Sequence, residues 1–406
     1  MTALLTPPLA QWALPFFDEV HRDVAARLVE WMERQQVDET DDRRACRQWV
    51  QLLGEGQWLR YCVPSGADGE LGGALASLDS RALVVIRETL AFYSSLADFS
   101  FAMQGLGSGA ITLAGTPAQQ AAYLPGVASG RKIAAFALSE ADAGSDVGAM
   151  QTHAVKTGAS WTINGSKTWI SNGGIADFYV TFAKTDVDAG VRGITAFIID
   201  ADTPGLDSSE HIAVMAPHPL ATLKFFECQL PADGQLGARH GGFKLAMQTL
   251  DIFRASVAGA ATGMARRALT EAIRYSKQRK LFGQTLADFQ MTQAKLGEMA
   301  ALVDAGALLA YRAAWLRDDS LRTGDSESTK TDTTGGGERT VAAAMAKMTA
   351  TENAQRVIDM ALQLHGGMGV KVGSKVESLY RDIRSLRIYE GATEVQQLII
   401  GKAVLR

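Results

Sequence analysis

The sequence predicts an α+β protein of three domains: a helical N-terminal domain over residues 1–132, a β-barrel-like middle domain over 133–236 and a C-terminal four-helix bundle over 237–406. Apolar residues recur at helical spacing in the first and last thirds of the chain. Short apolar runs separated by turn residues fill the middle third. A chain of 406 residues, 47% of them hydrophobic, can bury several cores, and this composition excludes global disorder.

The first third alternates amphipathic segments with one polar connection. Pro64–Gly73 is rich in Gly and Asp and is typical of a loop. The apolar residues around it repeat with a period near 3.6, which predicts helices over Leu14–Arg34, Asp41–Leu53, Leu78–Ala91 and Gln119–Ala128.

The middle third has the pattern of a sheet. An Asn-Gly pair between apolar runs is a strong hairpin signal, so Asn164-Gly165 is expected to be the turn between Trp161–Ile163 and Thr168–Ser171. Further short runs predict strands over Ile133–Leu138, His153–Thr157, Phe178–Lys184, Gly193–Ile199 and Leu223–Cys228.

The last third returns to the helical period. Stripes such as Val257, Ala261, Met264 and Ala268 predict long helices packed in an antiparallel bundle. Between two of these helices, Asp318–Arg339 is rich in Ser, Thr, Gly and Asp and has little to bury. We expect this segment, residues 318–339, to be a flexible surface loop.

Charge and cysteine content exclude several classes of protein. The 40 Lys and Arg against 44 Asp and Glu give a net charge of −4, so a nucleic-acid partner is not expected. No uncharged apolar run has the length of a membrane span, and neither a membrane partner nor a secretion signal is expected. Cys46, Cys62 and Cys228 are far apart, which favours reduced, buried thiols in a cytoplasmic protein without a metal site.

Two segments that follow predicted strands are candidates for ligand binding. Ser139–Asp146 offers hydroxyls, glycine and backbone N–H groups that can bind a phosphate or the polar edge of a cofactor, although an ordinary polar loop has the same composition. Trp169–Gly174 ends a strand in a glycine turn. Its indole is either a core aromatic or a flat wall for a flavin or nucleobase.

Two segments of the C-terminal third are also candidates. Gln363–Gly369 ends a helix in three glycines, which either stop the helix or let a ligand approach the backbone closely. Glu390 lies between a Tyr and a Gly, close to an apolar tail. It is either a solvated loop acid or a desolvated carboxylate, whose raised pKa would suit a general base.

In combination these motifs resemble the acyl-CoA dehydrogenase family. The resemblance covers nearly the whole chain and its motifs occur in family order, apart from a longer connection at 318–339. The matching stretches are Phe136–Asp146, Trp161–Gly174, Asp251–Arg254, Arg279–Gln290, Gln363–Gly369 and Ile388–Gln396.

The resemblance implies one FAD for each chain, held between the middle domain and the C-terminal bundle. Arg279, Phe282 and the Gln363–Gly367 segment would complete the FAD site of a neighbouring subunit, so a homo-oligomer, a tetramer built as a dimer of dimers, is expected. The residues that the resemblance assigns to FAD are Phe136, Leu138, Ser139, Gly144, Ser145, Trp169, Ser171, Arg279, Phe282, Gln290, Gln363, Gly366, Gly367, Ala392, Thr393 and Glu394.

The resemblance also implies the reaction. Glu390 would remove the α-proton of an acyl thioester while hydride passes from the β-carbon to the flavin, converting acyl-CoA to trans-2-enoyl-CoA in fatty acid metabolism. The backbone N–H of Glu390 and a ribityl hydroxyl of FAD would polarise the thioester carbonyl. The substrate contacts assigned in the same way are Ser145, Asp251, Arg254 and Gly391. Electron-transfer flavoprotein would accept the electrons.

Three positions depart from the family pattern. Ala392 and Ser139 each stand where the family often has Thr, and Asp142 stands where Pro is common. Only Ala392 loses a hydroxyl, since Ser139 keeps one. Because none of the three changes touches the base, we expect altered cofactor contacts rather than loss of the chemistry.

Three alternatives remain open at this point. The acyl or aminoacyl group could be bound to a carrier protein instead of CoA. A flavin oxidase or monooxygenase could use the same fold, although the glutamate at position 390 favours dehydrogenation. A non-catalytic helical scaffold would be colourless, whereas a flavoprotein would be yellow.

Overall fold

A computed structural model of the chain describes residues 5–323 and 337–406. The described residues form two compact units. Unit 1 is drawn from Met1–Gln36, Ser80–Asp98 and Arg254–Arg406, and unit 2 from Val37–Asp79 and Phe99–Phe253. The predicted class is confirmed: helices precede and follow a β-sheet region along the chain.

Five α-helices occupy the N-terminal region: α1 (Glu19–Met32), α2 (Asp42–Glu55), α3 (Ser80–Tyr93), α4 (Ser95–Ala114) and α5 (Pro117–Ala128). Four of them correspond to the predicted helices, with ends that shift by a few residues. Their starts follow capping chemistry. The Asp41 side chain accepts the Arg44 N–H, and Thr116 and Gln119 form a capping box before α5.

Helix α4 was not predicted, and its burial explains the omission. Nearly every residue from Leu96 to Ile111 is buried, so α4 lacks the alternation of apolar and polar faces that marks a surface helix. Its glycines allow close packing within unit 2. A Cβ on Gly105 would lie 2.5 Å from the Phe253 ring, and one on Gly107 would lie 2.7 Å from the Ala134 backbone.

The middle region is an eight-stranded mixed sheet in unit 2. The strand order is β6-β7-β3-β2-β4-β5-β8, and β1 pairs in parallel with β4. Every residue of β4 is buried. The strands are β1 (Ala134–Ala137), β2 (His153–Thr157), β3 (Ser160–Ser171), β4 (Phe178–Lys184), β5 (Ile194–Asp200), β6 (Leu206–His211), β7 (Leu220–Pro231) and β8 (Gln235–Leu236).

The predicted hairpin at Asn164-Gly165 is wrong. These residues lie inside β3, and the turn that joins β2 to β3 is at positions 158–159, because Thr157 pairs with Ser160. At Asn164-Gly165 the register between β3 and β7 shifts, and the Asn164 side chain accepts the Glu227 N–H at 2.8 Å. Gly165 has a positive φ of +138° in this β-bulge. A hairpin turn also favours glycine at a positive φ, which is why the Asn-Gly pair was misinterpreted as a turn.

The C-terminal region is helical, as predicted. A small hairpin of β9 (Lys280–Leu281) and β10 (Gln284–Thr285) follows its first helix. The helices are α6 (Gly242–Gln278), α7 (Gln290–Thr323), α8 (Glu338–His365), α9 (Lys375–Leu386) and α10 (Thr393–Val404). Helix α8 packs against α7, α9 and α10 and is central to unit 1.

The predicted loop over residues 318–339 is too long. Residues 318–323 are the last turns of α7, and Glu338 and Arg339 begin α8; residues 324–336 lie outside the described residues. Asp318 is buried and accepts the backbone N–H groups of Ser80 and Arg81 at 2.8 and 2.9 Å. It therefore caps α3, although its sequence neighbours are polar.

One described helix, Gln290–Leu321 within α7, could cross a membrane by length and composition alone. This is weak evidence, because core helices have the same composition. In unit 1 this helix packs against α3 and α8, and its buried side chains include Met299, Val303 and Tyr311. Its apolar composition is explained by that packing.

Cys46, Cys62 and Cys228 are buried, and none of them forms a disulfide within the described part of the chain.

Candidate active site

Glu390 lies in a short connection between α9 and α10. The connection contains two consecutive residues of positive φ, Glu390 at +53° and Gly391 at +87°. The φ of Gly391 strains any residue with a side chain, and a Cβ there would also meet the Gln396 side-chain amide. A positive φ is uncommon for glutamate and persists only where the surroundings fix it. The backbone therefore holds Glu390 in a defined orientation.

The Glu390 side chain is half-buried, with one of its two carboxyl oxygens turned away from solvent. Its Oε2 atom is inaccessible to solvent and has no hydrogen-bond partner among the described residues. Burial raises the pKa of this carboxyl group, and Arg87, Lys347 and Arg254 oppose the rise as nearby positive charges. The carboxyl group therefore combines a solvent-inaccessible oxygen with nearby positive charge, and both are conditions for an activated base.

A buried ion pair lies beside the base within unit 1. Arg87 on α3 donates two hydrogen bonds to Asp98 on α4, Nε to Oδ1 at 2.8 Å and Nη2 to Oδ2 at 2.9 Å. Its Nη1 donates to Ser256 Oγ at 3.0 Å. Burial raises the pKa of Tyr389 far above its usual range, and Arg87 opposes that rise. The side chains around the base are therefore polar and fixed.

Two side-chain donors meet the carbonyl of Gly391. Lys347 on α8 donates from Nζ at 2.8 Å, and Gln396 on α10 donates from Nε2 at 2.9 Å. Both donor side chains are buried. Burial lowers the pKa of Lys347 to about 8, and the Glu390 carboxylate acts in the opposite direction.

The flanks of the connection are tied to α8 as well. Glu352 Oε1 accepts from Arg387 Nε at 2.8 Å and from Thr393 Oγ1 at 2.6 Å. Glu394, one turn beyond, is exposed in the first turn of α10. Of the two glutamates in this segment, Glu390 is the one held in the charged cluster.

In unit 2 a buried lysine joins two of the predicted cofactor segments. Lys167 on β3 donates from Nζ to the Leu138 carbonyl at 3.0 Å and to Glu140 Oε1 at 2.8 Å. The backbone N–H of Thr168 donates to the Ser139 carbonyl at 3.0 Å. The end of β1 and the segment before Trp169 are thus brought together, as the motif order implied.

The side chains on these segments differ in exposure. Trp169 exposes 56% of its surface and has a φ of +60°, so it is not a core aromatic. Gly144 and Ser145 are exposed, Ser171 is half-buried, and Phe136 packs against Phe182 with ring centroids 5.0 Å apart. A flat aromatic surface and exposed polar groups are available here for a ligand.

The remaining cofactor candidates lie in unit 1. Arg279, Gln290 and Gln363 are exposed, and Phe282 exposes 94% of its surface at a φ of +50°. Gly366 and Gly367 end α8 and have no neighbouring atom within 4 Å of where a Cβ would stand. Among the proposed substrate contacts, Asp251 is half-buried in unit 2 and Arg254 is buried in unit 1.

Sequence reasoning missed Arg87, Asp98 and Lys347. Each is a charged residue inside an otherwise apolar helical segment: Arg87 follows Ala-Leu-Val-Val-Ile, and Lys347 follows Ala-Ala-Ala-Met-Ala. A charge at such a position must be paired or functional. That signal was available, but the partners of these charges lie on other elements, Asp98 on the next helix and Gly391 44 residues from Lys347, and only the fold shows the contacts.

Known proteins share this architecture. Family models match over three consecutive regions: the acyl-CoA dehydrogenase N-terminal domain at 17–131, the middle domain at 135–228 and the C-terminal domain at 240–405. Among solved structures, butyryl-CoA dehydrogenase from Megasphaera elsdenii has a TM-score of 0.84 and 32% identity, with 96% of this chain and 99% of that chain covered. A glutaryl-CoA dehydrogenase from Mycobacterium smegmatis, in complex with FADH2, has a TM-score of 0.83 and 26% identity, with 98% of each chain covered.

Curated relatives agree with this. The caffeyl-CoA reductase-Etf complex subunit CarC of Acetobacterium woodii is 37% identical, with 81% of this chain and 83% of that protein covered. The 3-(aryl)acrylate reductase of Clostridium sporogenes is 35% identical, with 96% and 100% covered. The human mitochondrial short-chain specific acyl-CoA dehydrogenase is 38% identical, with 88% and 82% covered. The chain belongs to the acyl-CoA dehydrogenase family of oxidoreductases.

Proposed function

We propose that this protein is an FAD-dependent dehydrogenase of acyl thioesters in which Glu390 removes the α-proton. One observation carries the proposal. One oxygen of the half-buried Glu390 carboxyl group is inaccessible to solvent and has no hydrogen-bond partner among the described residues, and Arg87, Lys347 and Arg254 act on the group as nearby positive charges. A base for so weak a carbon acid needs high basicity together with an ionised form, and burial opposed by positive charge provides both.

Each unit separately offers groups that suit part of an FAD. In unit 2, Trp169 offers a flat exposed ring, and in unit 1 the open backbone at Gly366 and Gly367 permits close approach of a ligand. The exposed guanidinium of Arg279 suits a diphosphate, to which arginine donates forked hydrogen bonds. When bound, FAD would supply the acceptor for the hydride from the β-carbon.

The chain itself would position and activate the thioester. Glu390 would accept the α-proton at its carboxylate, and the backbone N–H of Glu390 would polarise the thioester carbonyl. Arg254, buried in α6, is one of the cations that favour the ionised base. Activity should therefore fall as the pH falls through the raised pKa of Glu390, since the protonated carboxyl group cannot act as a base.

The partners belong to the proposal as well. The relative CarC is named as part of a complex with Etf, which supports electron-transfer flavoprotein as the electron acceptor. We also propose a homo-oligomer, a tetramer, in which the exposed Arg279 and Phe282 lie against a neighbouring subunit, as the family resemblance implies. Light scattering on FAD-loaded protein should give a multiple of 43.4 kDa; a loaded monomer would contradict it. We further propose a cytoplasmic enzyme of fatty acid metabolism, and three buried cysteines that form no disulfide support the cytoplasmic location.

A second candidate is the reverse reaction, reduction of an enoyl thioester. Two relatives are named as reductases of caffeyl-CoA and of aryl acrylates, which favours this direction. The same base would then return a proton to the α-carbon, by microscopic reversibility. The residues at the base are common to both directions.

One experiment tests the function and its direction. Purified protein is assayed for FAD and mixed without oxygen with acyl-CoA thioesters of short, branched and aryl-substituted chains, and with the same acyl groups on a carrier protein. Bleaching of the flavin absorbance identifies the substrate class and the carrier. Dithionite-reduced protein mixed with the matching enoyl thioesters tests the reverse reaction. Rapid reoxidation by oxygen would indicate an oxidase, and a colourless protein that takes up no FAD would refute the proposal.

A further inference from the structure

Lys347 is a buried charge with a single described hydrogen bond, and that bond is made to the connection that carries Glu390. Its Nζ donates to the Gly391 carbonyl at 2.8 Å, and its side chain is completely buried. We propose that Lys347 is a positioning residue: it holds the left-handed bend at Glu390-Gly391 and thereby fixes the direction of the base. This inference rests on the function proposed above for Glu390.

Distance along the chain distinguishes Lys347 from the other donor. Gln396 also donates to the Gly391 carbonyl, but it is five residues away and moves with the same segment. Lys347 lies 44 residues away, on α8. A hydrogen bond within the segment shapes the bend, whereas one from α8 fixes the bend relative to the rest of unit 1. Only a contact from another element, such as that of Lys347, can fix the direction of the Glu390 carboxylate relative to the rest of unit 1.

The need of the Gly391 carbonyl for a hydrogen-bond donor does not by itself explain a lysine at position 347. The Gly391 carbonyl keeps a donor in Gln396 even without Lys347. A buried ammonium group is unfavourable, and its pKa of about 8 reflects that penalty. Because a buried ammonium group is costly, an apolar residue of similar volume at this position should leave stability unchanged or raise it. A charge kept at the base connection under these conditions is better explained by catalysis than by stability.

The charged groups around Lys347 come from several elements. Glu390 and Glu394 lie at the connection and on α10, Glu352 is on α8, and Arg254 is on α6. Glu390 has the largest electrostatic effect on Lys347 among them. The ammonium group therefore also favours the ionised form of the base that it positions.

The test uses the FAD-loaded protein with Lys347→Met, which removes the donor and the charge at nearly constant volume. The matched control is Lys375→Met, since Lys375 also donates to a backbone carbonyl, that of Tyr93 at 2.9 Å, in the same unit. Hydrogen exchange of the peptide over 387–396 and anaerobic flavin reduction are measured for both variants. We expect Lys347→Met to exchange about 5-fold faster or more in this peptide and to reduce flavin about 10- to 100-fold more slowly.

Other readouts separate positioning from a general structural role. Substrate affinity and FAD content of Lys347→Met should stay within about 3-fold of wild type, and its melting temperature should be unchanged or higher. Lys347→Arg, which keeps charge and donors, should recover most of the rate. Unchanged exchange and rate, or a lower melting temperature with a normal rate, would overturn the inference. If wild-type protein is not bleached by any thioester, the proposed function fails, and the exchange measurement still decides whether Lys347 fixes the connection.

Discussion

Replacing Glu390 by Gln removes the proposed base while keeping its shape. The amide has almost the same volume as the carboxyl group, so the packing of unit 1 and the binding of FAD should persist. It cannot accept a proton, and loss of a general base slows a reaction by about 100- to 10,000-fold. That factor corresponds to about 3 to 5 kcal/mol in the activation free energy. Substrate affinity should be retained, because the backbone N–H at position 390 is unchanged.

The same substitution should raise thermal stability at neutral pH. Because burial raises the pKa of Glu390, the folded state binds this proton more tightly than the unfolded state does. The stabilising effect is full below the ordinary carboxyl pKa of 4.5 and is lost as the pH rises through the raised value. Glu390→Gln abolishes this dependence, so its melting temperature should exceed that of wild type at pH 8 and lose that advantage below pH 4.5.

Stopped-flow absorbance without oxygen measures flavin reduction, and a melting curve at several pH values measures stability. Glu394→Gln is the matched control, since Glu394 is exposed on α10, and it should alter FAD affinity more than the rate of reduction. A normal rate in Glu390→Gln with an inactive Glu394→Gln would move the base to Glu394. Normal rates in both variants would refute proton abstraction by this segment.

Three further substitutions test the packing. Arg87→Met leaves Asp98 buried without its ionic partner and should lower the free energy of unfolding by about 3 to 5 kcal/mol in urea denaturation, whereas the double change with Asp98→Leu should recover most of it. Asp318→Ala removes the cap of α3 and should cost about 1 to 3 kcal/mol, seen as a lower melting temperature. Gly105→Ala places a methyl group against Phe253 and should cost about 1 to 3 kcal/mol in the same assay; an unchanged melting temperature would show that α4 tolerates the volume.

Elements with a regular apolar pattern could be predicted from the sequence, and helix α4 could not. Helices α1 and α2 and strands β2 and β4 match their predicted segments within a few residues, because their periodicity reflects a single apolar face or a continuous apolar run. Helix α4 is buried all round and contains three closely spaced glycines, so its pattern contains neither signal. The loop prediction for residues 318–323 was wrong because their composition is misleading. Their polar composition is typical of a loop, yet Asp318 is buried because it caps another helix.

The candidate site also has a part that the sequence predicts and a part that it does not. Glu390 could be found from local sequence, since a Tyr-Glu-Gly segment beside an apolar tail is itself unusual. Its environment could not, because Arg87, Arg254 and Lys347 come from α3, α6 and α8, which only the fold brings together. Local sequence identified the functional group, and tertiary packing determines its pKa and its direction.

Burial raises the pKa of Glu390 and nearby positive charges lower it. These opposing effects explain why several cations act on the carboxyl group from a distance, rather than one cation bound directly to it. Burial alone favours the protonated carboxyl group, and in that form it could not accept a proton. A single bidentate arginine on the carboxylate would keep it ionised but would occupy the lone pairs that must receive the α-proton. In this structure Arg87 is instead engaged by Asp98, and Lys347 by the Gly391 carbonyl. Their charge reaches Glu390 while the Oε2 atom keeps no hydrogen-bond partner among the described residues, which leaves it available to the substrate.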